Sequence, residues 1–428
     1  MAQSPKSIAR KLLPTKVLKV VEDEYRLARA SYANARFNWP AKGMRVIMIT
    51  GTNGKTTTAH FLFSILRKAG YSVGLSSTAE FRINERVEVN DTNMTVLDPI
   101  KLRRQLAQFK ASMVDFVILE ATSQSLDQHR LYGIPCELAI FTNLTQDHLD
   151  YHKTMQNYAA AKAKLWDLNP KISVLNLDDE WYDYFKKRAT GKIYTYGLYK
   201  ADVSVSGYRV VNKKAQFTLG LNDGKSIVSL HLAGKYNAYN AAAAATAAQA
   251  LGVKGELIEQ GIESLTQLSG RLQEVPTKKP YKVLIDYAHT PDGLEKVLKA
   301  VSELGMGMVW LVFGACGDRD KGKRPKMGKI AAHLADKIIV TDEEAYNEDP
   351  AEIRKAIIEG ILTVKNSQKK MTEIADRKKA IKYALENAKK DDIILITGLG
   401  HEQFRVQNGK KSPWNDAEVV KKLLLEHR

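Results

Sequence analysis

A chain of 428 residues, 44% hydrophobic and 26% charged, is long enough for two or three domains with proper cores and has the balance of a globular protein. Its formal net charge of +17 suits anionic small-molecule substrates, but the charge is spread along the chain without a nucleic-acid-binding motif, so no nucleic acid is expected as a partner. The two cysteines, Cys136 and Cys316, exclude a disulfide framework, and no apolar run approaches the roughly 18 residues of a bilayer span; a cytoplasmic monomer is the expectation.

The first 43 residues are basic: Lys6, Arg10, Lys11, Lys16, Lys19, Arg26, Arg29, Arg36 and Lys42 stand against Glu22, Asp23 and Glu24. Within them Val17, Val20, Val21, Tyr25, Ala28 and Tyr32 recur at helical spacing, which predicts an amphipathic helix after Pro14 and Thr15, laid by that stripe on the next domain. A basic helix resting on a membrane surface is the second reading. Residues 44–50 then read as a buried strand, 55–69 as a helix stopped by Gly70, and Asp98-Pro99 as the cap of another helix. Residues 114–120 and 138–142 are further buried strands, and the alternation predicts a mostly parallel sheet covered on both faces. Around Asn222-Asp223-Gly224, residues 200–232 break the rhythm as an antiparallel insertion. The alanine-rich stretch 240–251 reads as a packed helix. A second α/β alternation begins at Tyr281, with strands expected at 282–286, 308–313, 337–341 and 392–397. The fold class expected is α/β, a P-loop-type domain followed by a Rossmann-like one, with divisions at 1–43, 44–270 and 271–428.

Between the first strand and the first helix of that alternation lies Gly51-Thr52-Asn53-Gly54-Lys55-Thr56-Thr57. Glycines let a backbone wrap phosphates, N–H groups at a helix N-terminus face negative charge, Lys55 reaches the outer phosphates, and Thr56 is placed to hold Mg²⁺. Only two residues separate the glycines, where the general pattern has four. This short form resembles the ATP-binding loop of the Mur ligases and of the related folylpolyglutamate synthases; the pair Thr56-Thr57 favours the former. Further segments resemble the Mur ligases in the same order. Glu120-Ala121-Thr122-Ser123-Gln124 follows a strand, and the twelve residues from Phe141 to His152 match a family segment almost letter for letter. The resemblance implies ATP and Mg²⁺ as cofactors, with Thr56, Glu120, His148 and a carbamoylated Lys162 as metal ligands. It places Asn143, Asn237 and Asn240 beside the nucleotide and makes Arg271 a catalytic group facing it, together with Lys55, His148 and Lys162. Asp286-Tyr287-Ala288-His289-Thr290-Pro291 is similar to a signature of the branch that adds the third peptide residue to UDP-N-acetylmuramoyl-dipeptide, and Asp286, His289 and Arg377 are grouped with the nucleotide side. The segment Gly317-Asp318-Arg319-Asp320-Lys321-Gly322-Lys323-Arg324-Pro325 is equally typical. Gly398 and Glu402 fall in a motif whose Glu meets the amino group of the incoming amino acid.

Two departures shape the expectation. Only 50 residues precede Gly51, where that branch has about a hundred, so the acceptor is expected to be held differently, to be a lipid-linked or truncated precursor, or to need a partner protein. Enzymes selecting diaminopimelate carry Asp-Asn-Pro-Arg at the amino-acid site, whereas this chain has Asp342, Glu343 and Glu344 and no Arg before Pro350. Like charge would repel a distal carboxylate, so lysine or another cationic amino acid is expected. The expected reaction is ATP-dependent amide-bond formation through an acyl phosphate, in peptidoglycan precursor synthesis. A folylpolyglutamate synthase-like ligase and a P-loop scaffold without turnover are the alternatives.

Overall fold

A computed structural model of the chain describes residues 15–92, 94–212, 214–305, 307–407 and 409–426, with backbone only at 15, 16 and 19. Lys6, Arg10 and Lys11, part of the basic character of the first segment, lie outside the described residues.

The first sheet has eleven strands: β1 (Arg45–Thr50), β2 (Val73–Ser76), β3 (Glu80–Ile83), β4 (Arg86–Val89), β5 (Phe116–Glu120), β6 (Leu138–Phe141), β7 (Ile172–Asn176), β8 (Lys192–Gly197), β9 (Val203–Val211), β10 (Lys214–Leu221) and β11 (Gly224–Leu230). Their spatial order is β11-β10-β9-β8-β7-β6-β1-β5-β2-β3-β4. The run from β9 to β2 is parallel and each end is closed by an antiparallel hairpin. Continuous apolar strands such as Arg45–Thr50 and Phe116–Glu120 are buried on both faces, as a sheet covered by helices on either side requires. One face packs on the helices Lys55–Lys68, Lys235–Ala250 and Gly255–Glu263. The other packs on Pro99–Ala111 and Met155–Ala163. The alanine-rich helix is buried along nearly its whole length because methyl side chains let it lie close to both the sheet and the helix Lys55–Lys68. The expected antiparallel insertion at 200–232 is the run β9–β10–β11, and it joins this sheet through a parallel pairing of β9 with β8.

The second sheet has the order β12-β13-β17-β14-β15-β16, from β12 (Gln273–Glu274), β13 (Lys282–Asp286), β14 (Val309–Phe313), β15 (Lys337–Val340), β16 (Met371–Glu373) and β17 (Ile393–Thr397). It is parallel apart from β12 and has a core on each face. A separate hairpin joins β18 (Phe404–Gln407) and β19 (Lys410–Pro413).

The N-terminal helix Thr15–Arg36 exists as the spacing predicts, but it presents the opposite face. Val17, Val20, Val21, Tyr25 and Tyr32 are exposed, whereas Ala30, Ala33 and Asn34 are buried against the helix Pro99–Ala111. Polar anchoring decides the orientation. Arg103, fully buried, donates from Nε to Asn34 Oδ1 at 2.8 Å and from its other nitrogens to the carbonyls of Arg130 and Tyr132, while Asn34 Nδ2 donates to Tyr132 O at 3.0 Å. An unpartnered buried guanidinium would cost more than burying a few Val and Tyr side chains returns, so the small, polar face goes inward.

Candidate active site

β1 ends in the loop 51–57, and the helix Lys55–Lys68 starts inside it, so the loop N–H groups point away from the sheet at a helix N-terminus. Gly51 and Gly54 have φ of 148° and 87°. A Cβ at Gly51 would lie 1.9 Å from Thr142 Oγ1, and one at Gly54 would lie 2.2 Å from Asn240 Oδ1, so only glycine fits either position. The end of β6 pins the loop from the side: Thr142 Oγ1 and Asn143 Nδ2 both donate to Asn53 O, at 2.7 and 3.0 Å. Asn143 Oδ1 accepts from Asn53 N at 3.0 Å, and Thr52 N donates to Asn143 O at 2.8 Å. Asn240 Nδ2 in turn donates to Asn237 Oδ1 at 3.1 Å, which fixes the amide within the alanine-rich helix where it abuts Gly54.

Two lysines converge on the same backbone. Lys55 Nζ donates to Gly51 O at 3.0 Å and Thr52 O at 2.8 Å, and Lys162 Nζ donates to Gly51 O at 2.8 Å. Burial pulls the Lys55 ammonium below its ordinary range, with Glu120 and Asp147 opposing. Burial and then the charge of Lys55 push Lys162 well below its own. Beside them Glu120, at the carboxyl end of β5, accepts from Thr56 Oγ1 at 2.9 Å, Thr78 N at 2.7 Å and Thr78 Oγ1 at 3.0 Å. His148 has left-handed backbone, and its buried Nδ1 has no partner. Thr57 is buried in the first turn of the helix.

The second sheet brings its own groups to this place. Arg271 Nη2 donates to Thr56 Oγ1 at 3.2 Å, and its guanidinium lies 4.6 Å from the centre of the Tyr287 ring. Asp286, at the end of β13, accepts from the N–H groups of Leu272 and Ala288, both at 2.8 Å; burial raises its pKa while Arg271 opposes the rise. His289 Nδ1 donates to Tyr287 O at 2.8 Å, and burial holds the ring neutral with a pKa lowered to about 4. Asn53 Nδ2 crosses to Asp292 Oδ2 at 2.7 Å. Between the two sheets lies a cavity of about 760 Å³, a volume suited to a nucleotide-sized ligand. Its wall includes 52–57, Glu120, Asn143, His148, Asn237, Asn240, Arg271, Asp286 and His289.

The chemistry of these donors fits magnesium and a nucleotide. Threonine hydroxyl, carboxylate and imidazole groups line one wall beside a phosphate-sized cradle, and the unpartnered Nδ1 of His148 lies there. Among the described residues no three His, Cys, Asp or Glu side chains form a ready-made metal cage. Mg²⁺ habitually keeps several waters and bridges to phosphates, so it needs no such cage.

Not every expected residue is brought here. Arg377 does not reach the cavity. It is fully buried below the second sheet, where Nε and Nη2 donate to Asp416 at 2.9 and 2.7 Å and Nη2 also donates to Thr397 O at 2.8 Å, an internal ion pair and not a nucleotide contact. Asp342 pairs instead with Arg354, which is itself bonded to Glu373. Glu343, Glu344 and Glu402 are not among the residues that line the cavity, although Glu402 touches its wall residue Tyr287. Glu343 Oε1 accepts from Cys316 Sγ at 2.8 Å, and its buried Oε2 has no partner and sits where a side chain at Gly398 would be. Glu344 accepts from Tyr346 Oη at 2.9 Å and Val406 N at 3.1 Å. Tyr287 Oη lies 3.4 Å from Glu402 Oε1, and burial, followed by the charge of Glu344, raises Glu402 to about 7. Asp147 and Thr78 were passed over in the sequence. Asp147 was signalled by its place between a strand end and His148; Thr78 has no sequence signal, since it arrives from the turn before β3.

Residues 49–248 match the Mur ligase middle domain, and residues 270–400 match the Mur ligase, glutamate ligase domain. The chain is 38% identical over 412 residues to UDP-N-acetylmuramoyl-L-alanyl-D-glutamate--2,6-diaminopimelate ligase of Caldanaerobacter subterraneus subsp. tengcongensis, covering 96% of this chain and 84% of that protein. It is 38% identical over 418 residues to the protein of the same name from Aquifex aeolicus, covering 97% and 85%. A solved structure of a ligase of that name superposes with a TM-score of 0.64 at 33% identity, over 96% of this chain and 84% of the other. A folylpolyglutamate synthase from Mycobacterium tuberculosis, complexed with ADP and AMPPCP, has a TM-score of 0.69 at 18% identity over 89% and 96%, a likeness of fold alone. Reached from the loop, the strand ends and the relatives alike, the chain belongs to the Mur ligases, ATP-dependent enzymes that form amide bonds.

Proposed function

We propose that this ligase joins an amino acid with a cationic side chain to the terminal carboxylate of a UDP-N-acetylmuramoyl-dipeptide-like acceptor, the third-residue step of peptidoglycan precursor synthesis. The observation that carries the reaction is the convergence of Lys55, Thr56, Glu120 and Arg271 on one cavity, two halves of the chain meeting at one hydroxyl. In this reading 1–43 is an accessory segment, 44–270 binds ATP, and 271–428 supplies the amino-acid site.

The residues divide the work. Loop N–H groups and Lys55 hold the phosphates and offset charge on the transferring group. Thr56, Glu120, His148 and Lys162 would hold Mg²⁺, which when bound neutralises phosphate charge. Asn143, Asn237 and Asn240 keep the loop and the nucleotide side in register. Arg271 and His289 meet the transferred phosphoryl group from the second half, and the acceptor carboxylate attacks the γ-phosphorus as ADP leaves. Glu402 then takes a proton as the amine attacks the acyl carbon and phosphate departs. Burial and the charge of Lys55 push the Lys162 ammonium well below its ordinary range, which favours the amine form that adds CO₂, and its carbamate is the state proposed for the active enzyme. Mass spectrometry of native protein in bicarbonate, and rescue of Lys162→Ala by a short carboxylic acid, test that assignment.

The amino-acid preference rests on Glu343, whose buried Oε2 lacks a partner, beside Glu344 and with Tyr346 nearby. The relatives are named for diaminopimelate. Phosphate release should be measured with the acceptor and with lysine, ornithine or meso-diaminopimelate, in wild type and Lys55→Ala. Release that needs acceptor and a diamine without a distal carboxylate, and is lost in the variant, supports both parts. Preference for diaminopimelate removes the cationic assignment and leaves the ligase intact.

A further inference from the structure

The turn between β6 and the short helix Leu149–His152 carries two adjacent side chains that meet the second half of the chain. Gln146 Nε2 donates to Asp320 Oδ2 at 3.1 Å, and its Oε1 accepts from Lys326 Nζ. Asp147 is 5% exposed and faces three basic groups: His148 Nε2 at 3.4 Å, His289 Nε2 at 3.8 Å and Lys323 Nζ at 3.9 Å. Two of these three come from the second half. Lys323 itself is 2% exposed and opens the helix Lys323–Leu334, where the positive end of the helix dipole adds to its own charge. An ammonium buried there is costly without a counter-ion, and Asp147 is its ion-pair partner among the described residues.

We infer that Asp147 is a positioning residue, the buried counter-ion on which Lys323 and His289 seat, so that the second half closes in one register against the phosphate loop. Its consequence for chemistry is indirect. The same closure that pairs Asp147 with Lys323 sets Arg271 Nη2 on Thr56 Oγ1. Without the carboxylate, the buried Lys323 ammonium would have no counter-ion where the two halves meet, and the halves would stand apart. Gln146, bonded to Asp320 and Lys326 on the outer side of the turn, fixes the rotation of the same seat.

The proposal is tested on the full chain with Asp147→Asn, Lys323→Met and the double variant, by kcat, the KM for ATP, melting temperature and small-angle X-ray scattering with a non-hydrolysable ATP analogue and Mg²⁺. Each single variant is expected to lower kcat about tenfold or more while the KM for ATP moves less than about threefold, because what is lost is alignment and not phosphate binding. The double variant should be no worse than the weaker single one, the non-additivity of a contacting pair, and all three should show a larger radius of gyration than wild type. Additive losses, an unchanged radius of gyration, or recovery of Asp147→Asn by excess Mg²⁺ would each overturn it, the last by making Asp147 a metal-side group. A lowered melting temperature with unchanged kcat per folded molecule would reduce the pair to a structural one and also refute it. Should the Asp147 variants not fold, Gln146→Ala and Lys326→Ala at the outer edge of the seat must give the same kcat-selective, non-additive loss. The kinetic arm rests on the proposed ligase reaction. If wild type shows no acceptor-dependent phosphate release, that reading has failed, and scattering alone still decides whether Asp147 holds the halves together.

Discussion

At the scale of single residues, the buried carboxylates separate into those with a cation and those without. Arg377 and Asp416 are both fully buried and satisfy each other through two hydrogen bonds. Asp416→Asn leaves a buried guanidinium uncompensated and should cost about 3–5 kcal/mol in urea unfolding, with little effect on ATP binding. Glu402 has no such partner, and its pKa of about 7 stands above the ordinary 4.5. As a base it must be ionised, so kcat should rise as pH climbs through about 7, and Glu402→Gln should flatten that limb. The stability effect has the opposite direction: the folded state holds this proton more tightly, so wild type loses stability relative to Glu402→Gln as pH rises from 4.5 to 7. Most of the expected residues that meet at the cavity were legible because residue type and local context agree, as with Lys55 after two glycines at a helix start. Arg377 was not, because a motif names a residue without saying on which side of a sheet its side chain leaves.

At the scale of elements, long segments were legible and short ones were not. The strands β13, β14, β15 and β17 fall within a residue of their expected places, since continuous β-branched runs bounded by polar turns have few other uses. Strands β2 to β4 escaped notice because four-residue strands carry too little periodicity to stand out. The helix Thr15–Arg36 shows the reverse failure: its period was right and its direction wrong. Hydrophobic spacing identifies a stripe, but the buried Arg103 chose Asn34. Asn34→Ala removes acceptors and donors around that guanidinium and should destabilise the protein by about 1–3 kcal/mol. By contrast Val20→Ser and Tyr25→Ser, on the exposed face, should each change stability by less than about 0.5 kcal/mol. Thermal melts of the three variants side by side would separate the two faces.

At the scale of the whole molecule, the net charge of +17 and the anionic nature of ATP and the proposed acceptor combine into a long-range attraction. The KM values for both should rise with ionic strength while kcat changes less, since screening acts on encounter more than on contacts already made in a closed cavity. Division into two sheets was legible from the break in alternation near Gly270, but their mutual placement was not. It depends on single side chains, such as Asn53 on Asp292, that meet only after each sheet has formed.

The antiparallel extension β9–β11 carries Tyr208, whose hydroxyl donates to Glu303 Oε2 at 3.0 Å and accepts from Gly234 N at 3.1 Å. Glu303, with Lys299 and Ala300, belongs to the cavity wall. The bond therefore fastens the extension to the wall of the cavity. Removing one hydroxyl with Tyr208→Phe should then quicken ADP departure in stopped-flow traces of a fluorescent analogue and leave the first turnover untouched.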